Sequence, residues 1–390
     1  MQLEKTGLEE YYILKNNKKL YYGYTTGSCA AAASKAAVQM LLTGKKIEQT
    51  ELMTPKGIEI FLKIEEITME KDKVCCAVKK NGGDDPDATH GILIFSTVKK
   101  IPEKKIVIDG GIGIGRVTKK GLEQPIGAAA INRVPREMIT NEVRKVCEAA
   151  EYDGGISVII SAPQGEEIAQ KTFNPKLGIE GGISVLGTSG IVIPMSEEAL
   201  IASIRLEMEM KKADGIEYLL VTPGNYGADF CKTALKLDME KGVKCSNYIG
   251  ETVDIGVSLG LKGILFVSHI GKFVKVAAGI MNTHSRCADA RAEIIAANAV
   301  RAGASLELVR KILDTVTTDE AMELLTMENL REQTMTQITQ RISGYLKNRA
   351  YGAMETEAIL FSNEYGFLGQ TKRAESLLKK IRQEQEIHAL

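Results

Sequence analysis

Between Glu217 and Ala278 short apolar runs alternate with segments that favour helix, and this alternation constrains the fold more than any other feature of the chain. Glu217–Thr222 (EYLLVT) ends in Pro223-Gly224-Asn225-Tyr226-Gly227, before a helical segment to about Glu240. Val243–Asn247 reads as the next strand and Thr252–Leu259 as a short helix. Gly263–Ser268 (GILFVS) is a further apolar run, followed by Lys272–Ala278. Strands separated by helices imply βαβ units and a mainly parallel sheet. Just upstream, Gly182–Leu186 is strand-like, and Ser196 is placed to cap a helix whose Glu197 and Glu198 suit its first turn. From Ala288 onward the sequence reads as mostly helical.

The first part of the chain has a different grammar. Ala30–Leu42 (AAAASKAAVQMLL) is free of Gly and Pro and favours helix, with Thr26 or Ser28 to cap it and Thr43-Gly44 to close it. The runs Ile58–Ile64, Val74–Lys79 and Ile92–Val98 then read as strands of a mixed or antiparallel sheet. A helix is expected over Arg136–Ala149, then strands Ile156–Ser161 and Glu167–Thr172 joined at Pro163-Gln164-Gly165. The expected architecture is two-domain, α+β and α/β. An N-terminal mixed-sheet α+β domain (1–175) precedes a Rossmann-like, mainly parallel α/β domain with a helical C-terminus (176–390).

Composition narrows the function. The chain has 390 residues, 44% hydrophobic and 26% charged, ample for a core and ordinary for a soluble globular protein. Fifty Lys and Arg balance fifty Asp and Glu, so no global field draws nucleic acid or an anionic membrane, and an anionic ligand must meet a local basic patch. Seven Cys lie without C-x-x-C or His-paired zinc spacing, so no protein-bound metal is expected. Met1–Glu10 lacks the apolar core of a signal peptide, and no window reaches the ~18 apolar residues of a membrane span. The chain reads as reduced and cytoplasmic, with monomer and homodimer both open.

Four segments concentrate chemistry. Thr222-Pro-Gly224-Asn225-Tyr-Gly227 follows an apolar strand and opens a helix, where glycines let a ligand approach the backbone; a plain turn is an equal reading. Asn81–Gly91 holds Asp84, Asp85, Asp87 and His90, a set suited to acid–base work or, more blandly, to a solvated turn. Asp109-Gly-Gly-Ile-Gly-Ile-Gly115 reads as a β-turn or anion-holding nest with Arg116 and Lys119 nearby. His269, Lys272, Asn282, His284, Ser285 and Arg286 fall within twenty residues, placed to line a pocket at the carboxyl ends of parallel strands.

Taken in order, eight segments resemble one family. They are GYTTGSCAAAASKAA (23–37), GGDDPDATHG (82–91), IDGGIGIGRVTKKGL (108–122), IGAAAINRVPR (126–136), LGTSGIVIPMSEEAL (186–200), GNYG (224–227), SNYIGE (246–251) and HIGKFVKVAAGIMNTHSRCADAR (269–291). The set is similar to the CbiD family, the cobalt-precorrin-5B C1-methyltransferases of anaerobic cobalamin biosynthesis. The resemblance covers about residues 20 to 300.

It implies methyl transfer from S-adenosylmethionine to C1 of cobalt-precorrin-5B, giving cobalt-precorrin-6A, with cobalt arriving inside the substrate. Asp84, Asp85, His90, His269 and His284 become candidates for the base. By analogy of fold, the methyl donor is expected at Thr222, Gly224, Asn225 and Gly227, with Glu251 or Asp254 on the ribose. The carboxylate-rich macrocycle calls for Arg and Lys at fixed positions. Arg116, Lys119, Arg133, Arg136, Lys272, Arg286 and Arg291 supply them, and Thr25, Thr26, Ser28, Asn282 and Ser285 are further substrate candidates. Two rivals remain: a small-molecule kinase using the Gly27-Ser28 turn before the Ala-rich helix, and a non-catalytic corrinoid-binding protein.

Overall fold

A computed structural model describes residues 5–15, 17–172, 174–175 and 177–387, so Met1–Glu4 of the charged N-terminal segment lie outside the described residues. The chain divides into two compact units, Met1–Glu197 and Glu198–Leu390.

In the first unit β1 (Tyr12–Lys15) pairs antiparallel with β2 (Lys18–Tyr21), and β3 (Gly23–Tyr24) leads into α1 (Thr26–Thr43). Thr25 caps α1 by accepting the Ser28 N–H, and Gly44 closes it in the left-handed conformation. Ala30–Ala33, Ala36 and Ala37 are fully buried. Their small side chains let the helix lie close to its neighbours, where a bulkier residue would hold it off.

A hairpin of β4 (Gln49–Met53) and β5 (Glu59–Lys63) follows, then β6 (Glu65–Met69), β7 (Lys73–Lys79), β8 (Leu93–Ile101) and β9 (Ile106–Gly110). The unit is completed by β10 (Arg116–Val117), α2 (Arg133–Ala149), β11 (Gly155–Ser161), α3 (Gly165–Ala169), β12 (Ile179–Glu180) and β13 (Ile191–Val192). The main sheet runs β6-β7-β8-β11-β9, antiparallel except for β11 beside β9. Val74, Cys76 and Val78 on β7, Ile94 and Val98 on β8, and Ile156, Val158 and Ile160 on β11 alternate inward to share one core with α1 and α2. Ser34 of α1 meets Ser96 of β8 across 2.9 Å.

Two expectations fail here. Glu167–Thr172 is not a strand: Gly165 starts the short helix α3, with Glu166 and Glu167 favourably in its first turn. Gly182–Leu186 makes only isolated bridges, Ile183 to Ile114 and Val185 to Ile131. The segment after residue 176 stays with the first unit because β12 pairs with β10 and β13 with β3.

The second unit begins with α4 (Glu197–Ala213), β14 (Tyr218–Thr222), α5 (Asn225–Phe230), β15 (Val243–Lys244), α6 (Ile249–Ser258), β16 (Gly263–His269) and α7 (Ile270–Phe273). Then come α8 (Arg291–Arg301), α9 (Leu306–Leu313), α10 (Thr318–Met327), α11 (Arg331–Arg349), β17 (Glu355–Ser362), β18 (Gly366–Gln370) and α12 (Ala374–Ile387). The sheet order is β15-β14-β16-β17-β18, parallel through β17 with an antiparallel β18 at the edge. Leu377 and Ile381 of α12 pack with Leu265, Val267 and Ile359 on one face. Val253 of α6, Ile295 of α8 and Ile338 of α11 pack with Leu219, Ile264 and Phe266 on the other. Covered on both faces, β16 and β17 are buried almost throughout.

The mostly helical segment expected from Ala288 onward also holds two strands, β17 and β18. In Glu355–Ser362 (ETEAILFS) the apolar stretch is only Ala358–Phe361, preceded by α11 and followed by β18 and α12.

Candidate active site

In the second unit the chain leaves β14 toward β15 on one side and leaves β16 toward β17 on the other. The carboxyl ends of β14 and β16 therefore part at a topological switch point, where open parallel sheets usually hold ligands. Thr222 ends β14, and its carbonyl accepts the Cys245 N–H at 2.9 Å, which fixes the end of β15 beside it. Two buried oxygens here have no hydrogen-bond partner: Thr222 Oγ1 and Glu251 Oε2. Leaving such groups unpaired costs about 1–3 kcal/mol each, and Thr334 Oγ1 and Thr356 Oγ1 are unpaired likewise.

Glu251 lies in the first turn of α6, whose start is tied down by the N–H groups of Ile249 and Gly250 donating to the Met281 carbonyl (3.0 and 3.2 Å). Asp254, one turn on, is exposed and clasped by Arg349, so it is not equivalent to Glu251. Gly224 is extended and a side chain there would meet nothing within 4 Å, leaving room beside the turn. Gly227 has no such room: a Cβ would come 2.7 Å from the Val267 carbonyl. Asn225 is exposed and accepts a hydrogen bond from Lys244 Nζ at 2.9 Å.

His269 ends β16 and caps α7, its Nδ1 accepting the Gly271 N–H at 3.1 Å. Its ring meets Phe361 edge-on at 5.6 Å and Tyr226 at 6.3 Å. Burial lowers its pKa, against the opposing pull of Asp319. Lys272 is exposed as a residue, yet desolvation lowers its ammonium pKa, countered by Cys245, whose thiol burial pushes up to about 12.

The loop bearing His284, Ser285 and Arg286, all exposed, is anchored from below. Buried Lys275 donates to the carbonyls of Thr283 (3.1 Å) and Ala288 (2.8 Å), and Thr283 N–H donates to the Asn247 carbonyl (2.9 Å). Asn282 bridges to Tyr248 and accepts the His284 N–H, while His284 Nδ1 accepts the Arg286 N–H at 3.1 Å. Asn282 and Glu251 are thus brought to the same end of α6. Arg291 is paired with Asp289.

In the first unit the three carboxylates of the Asn81–Gly91 loop do different things. Asp84 accepts the Tyr21 N–H (2.6 Å) and Asp85 the Met195 N–H (2.8 Å). His90, exposed, accepts the Gly82 N–H through Nδ1 at 3.2 Å. Asp87 alone holds a buried charge, Lys80, at 2.7 Å. Lys80 directly follows Lys79 at the end of β7, and nothing in that pair of lysines marks which one is buried, so the sequence does not single it out.

Thr25, Thr26 and Ser28 are buried and spend their hydroxyls inside the protein. Ser28 donates to the Gly190 carbonyl (2.7 Å) and Thr26 to that of Leu186 (3.2 Å), while the Gly27 N–H also meets Leu186 (3.0 Å). The protein's own segment 186–190 fills the start of α1, where the kinase reading needs an open phosphate seat.

Arg116 grips Asp109 with two hydrogen bonds and the Gly110 carbonyl with a third. Arg136 donates to the carbonyls of Ile131, Ile108 and Ala129, which makes it a fastener of the loop. Arg133 pairs with Glu137 and, with Arg136 and Arg144, lines the wall of a depression of about 540 Å³. Lys119 is exposed, its stem against Gly178. The glycines of 110–115 form a packing junction: Cβ atoms on Gly165 and Gly182 would come within 2.0 and 2.2 Å of the Gly113 carbonyl.

By architecture this is a two-unit α+β protein whose second unit is a mainly parallel sheet covered by helices. The chain belongs to the CbiD family: the CbiD model matches residues 13–194 and the CbiD C-terminal domain model residues 282–372. It is 53% identical to the cobalt-precorrin-5B C(1)-methyltransferase of Ruminiclostridium cellulolyticum, over 91% of this chain and 92% of that protein. It is 45% identical to the enzyme of the same name from Alkaliphilus metalliredigens, over 96% and 98%. The crystal structure of a cobalamin biosynthesis protein (cbiD) from Archaeoglobus fulgidus matches 72% of this chain and 86% of that one at 27% identity, with a TM-score of 0.38. Among the described residues, no helix is long and apolar enough to cross a membrane.

Proposed function

We propose that this chain transfers the methyl group of S-adenosylmethionine to C1 of cobalt-precorrin-5B, giving cobalt-precorrin-6A. Identity of 45–53% along more than nine-tenths of the chain to proteins bearing that enzymatic name supports the reading. The observation that carries the donor site is the pair of buried oxygens without partners, Thr222 Oγ1 and Glu251 Oε2, beside the open Gly224 turn. A carboxylate and a hydroxyl at the end of a parallel strand fit the hydroxyl groups of a ribose. We read the second unit as a doubly wound, Rossmann-like fold in this sense: its strand order is that of doubly wound sheets, with the donor at the switch point.

Bound there, the sulfonium supplies an electrophilic methyl carbon. The residues of the chain hold and orient. Glu251 and Thr222 take the donor's hydroxyls, Gly224 brings the backbone close, Gly227 packs the turn against Val267, and Asn225 closes the turn. Lys272, Arg286, Ser285 and Asn282 meet the acetate and propionate groups of the macrocycle. Fixed geometry is the main contribution a protein makes to such a transfer. Where the macrocycle loses a proton on methylation, the chain must supply an acceptor. Asp84 and Asp85 each keep one carboxylate oxygen clear of the backbone bond it makes, and we assign proton acceptance to them. The setting we propose is cytoplasmic.

Calorimetric titration with S-adenosylmethionine, with ATP–magnesium as control, tests the donor site. Transfer of labelled methyl to cobalt-precorrin-5B tests the reaction. Methyl transfer confirms the reading; corrinoid binding with no transfer in the presence of donor sinks it and leaves a carrier.

A further inference from the structure

All three described histidines use Nδ1 in the same way. His90 accepts from Gly82, His269 from Gly271 and His284 from Arg286, each through a backbone N–H at 3.1–3.2 Å. An imidazole nitrogen that accepts a hydrogen bond carries no proton, so each neutral ring holds its proton on Nε2. A ring in that state is a donor at Nε2. To act as a base it would have to take its proton on Nδ1 and give up the backbone bond.

For His269 this has consequences that the other two do not share. It stands at the switch point, between the end of β16 and the start of α7, and α7 carries Lys272. Its ring is half-buried between Phe361 and Tyr226, and Nε2 makes no hydrogen bond among the described residues. We propose that His269 is a positioning residue of the donor site: its neutral ring caps α7 through Nδ1, so holding Lys272, and offers Nε2–H to an oxygen of the bound methyl donor. The inference rests on the placement of the donor proposed above.

Protonation of His269 would put a hydrogen on Nδ1 facing the Gly271 N–H, breaking the cap. The ionisable groups around the ring are Asp319 on α10, Tyr226 on α5 and Lys272 on α7 itself, with Cys245 and Glu251 beyond Lys272. Asp319 opposes the shift but is already engaged by the Ser362 hydroxyl at 2.6 Å, and burial outweighs it. The neutral form therefore persists to a pH below the ordinary histidine value of about 6.5. Donor affinity should be flat above that value and fall toward tenfold per pH unit once pH drops through the lowered pKa.

The test is calorimetric titration with S-adenosylmethionine at pH 7.5 and 5.0 of the native chain, His269→Asn and His269→Ala. Asparagine is a good helix cap and does not titrate. The native chain is expected to bind more weakly at pH 5.0 than at pH 7.5. His269→Asn should lose that pH dependence whatever its absolute affinity, and His269→Ala should bind weakly at both. Equal pH dependence in His269→Asn and the native chain, or native-like binding by His269→Ala at pH 7.5, overturns the proposal. Binding of no donor by any form at any pH counts against the donor placement instead. Long-range ¹⁵N–¹H NMR of the imidazoles then decides: a neutral ring protonated on Nε2 supports the tautomer assigned here, and one protonated on Nδ1 overturns it.

Discussion

Lys80 Nζ lies 2.7 Å from Asp87 Oδ2, and the lysine side chain is only 1% exposed. Burial pushes the Asp87 carboxyl up, but the Lys80 charge and hydrogen bond, with two hydrogen bonds from Thr89, outweigh it and hold the carboxyl below the usual carboxylate range. Removing one partner leaves a charge buried beneath the loop. Lys80→Met and Asp87→Asn should each cost about 3 kcal/mol in urea unfolding, and the double variant clearly less than the sum. Because the folded pKa is depressed, the stabilisation by Asp87 is present above the ordinary value of about 3.9 and lost as pH falls through the lowered one. Asp87→Asn should therefore flatten the acid limb of the stability curve below about pH 4.

Gly113 has φ +73° and a Cβ there would stand 1.7 Å from the Ala162 carbonyl, whereas Gly44, with φ +70°, has nothing within 4 Å. Both positions disfavour a side chain by backbone conformation, at about 1–2 kcal/mol. Only Gly113 adds a collision with main chain. Gly44→Ala should lower stability by about that amount, and Gly113→Ala by more than about 4 kcal/mol or leave the chain insoluble. Urea denaturation separates the two.

Thr222→Val and Glu251→Gln should behave unlike ordinary core changes. Each removes or weakens a buried polar group that the free protein leaves unpaired, so thermal stability should hold or rise by up to about 1 kcal/mol. Donor affinity should fall, by tenfold or more for Glu251→Gln, since a hydrogen bond to a charged group contributes about 1.5–3 kcal/mol. Loss of stability with unchanged donor binding would assign both residues to packing.

Asp85→Asn keeps an oxygen for the Met195 N–H while removing the charge. His284→Ala removes an exposed ring that bonds only along its own loop. Turnover at saturating donor should drop by at least tenfold in Asp85→Asn, with urea unfolding within about 0.5 kcal/mol of native. Full turnover by both variants would remove these two loops from the chemistry.

The strands were legible where one face is buried: Ile58–Ile64 contains β5, and Val74–Lys79 and Ile156–Ser161 match β7 and β11 to within one residue at their starts, because alternation or β-branched content is written locally. The helices α1 and α2 were legible from composition, each longer at its start than expected because caps settle by tertiary contact. Glu355–Ser362 was missed because a short apolar run among helix formers looks the same whether it is strand or buried helix. At the site, the sequence pointed to the Thr222 turn and to Glu251 by analogy, but nothing in a one-dimensional string distinguishes a carboxylate with partners, as in Asp254, from one without. The seven-residue link between Lys80 and Asp87 was equally hidden, since the loop between them decides whether the two charges meet.

The gap between the ends of β14 and β16 arises from the direction in which the chain departs after each strand. No single side chain opens it. The rim can therefore exchange Asn225, Tyr226, Lys272 or Ser285 for other residues and still present a mouth of the same outline. A designer could redraw the lining while leaving the scaffold untouched.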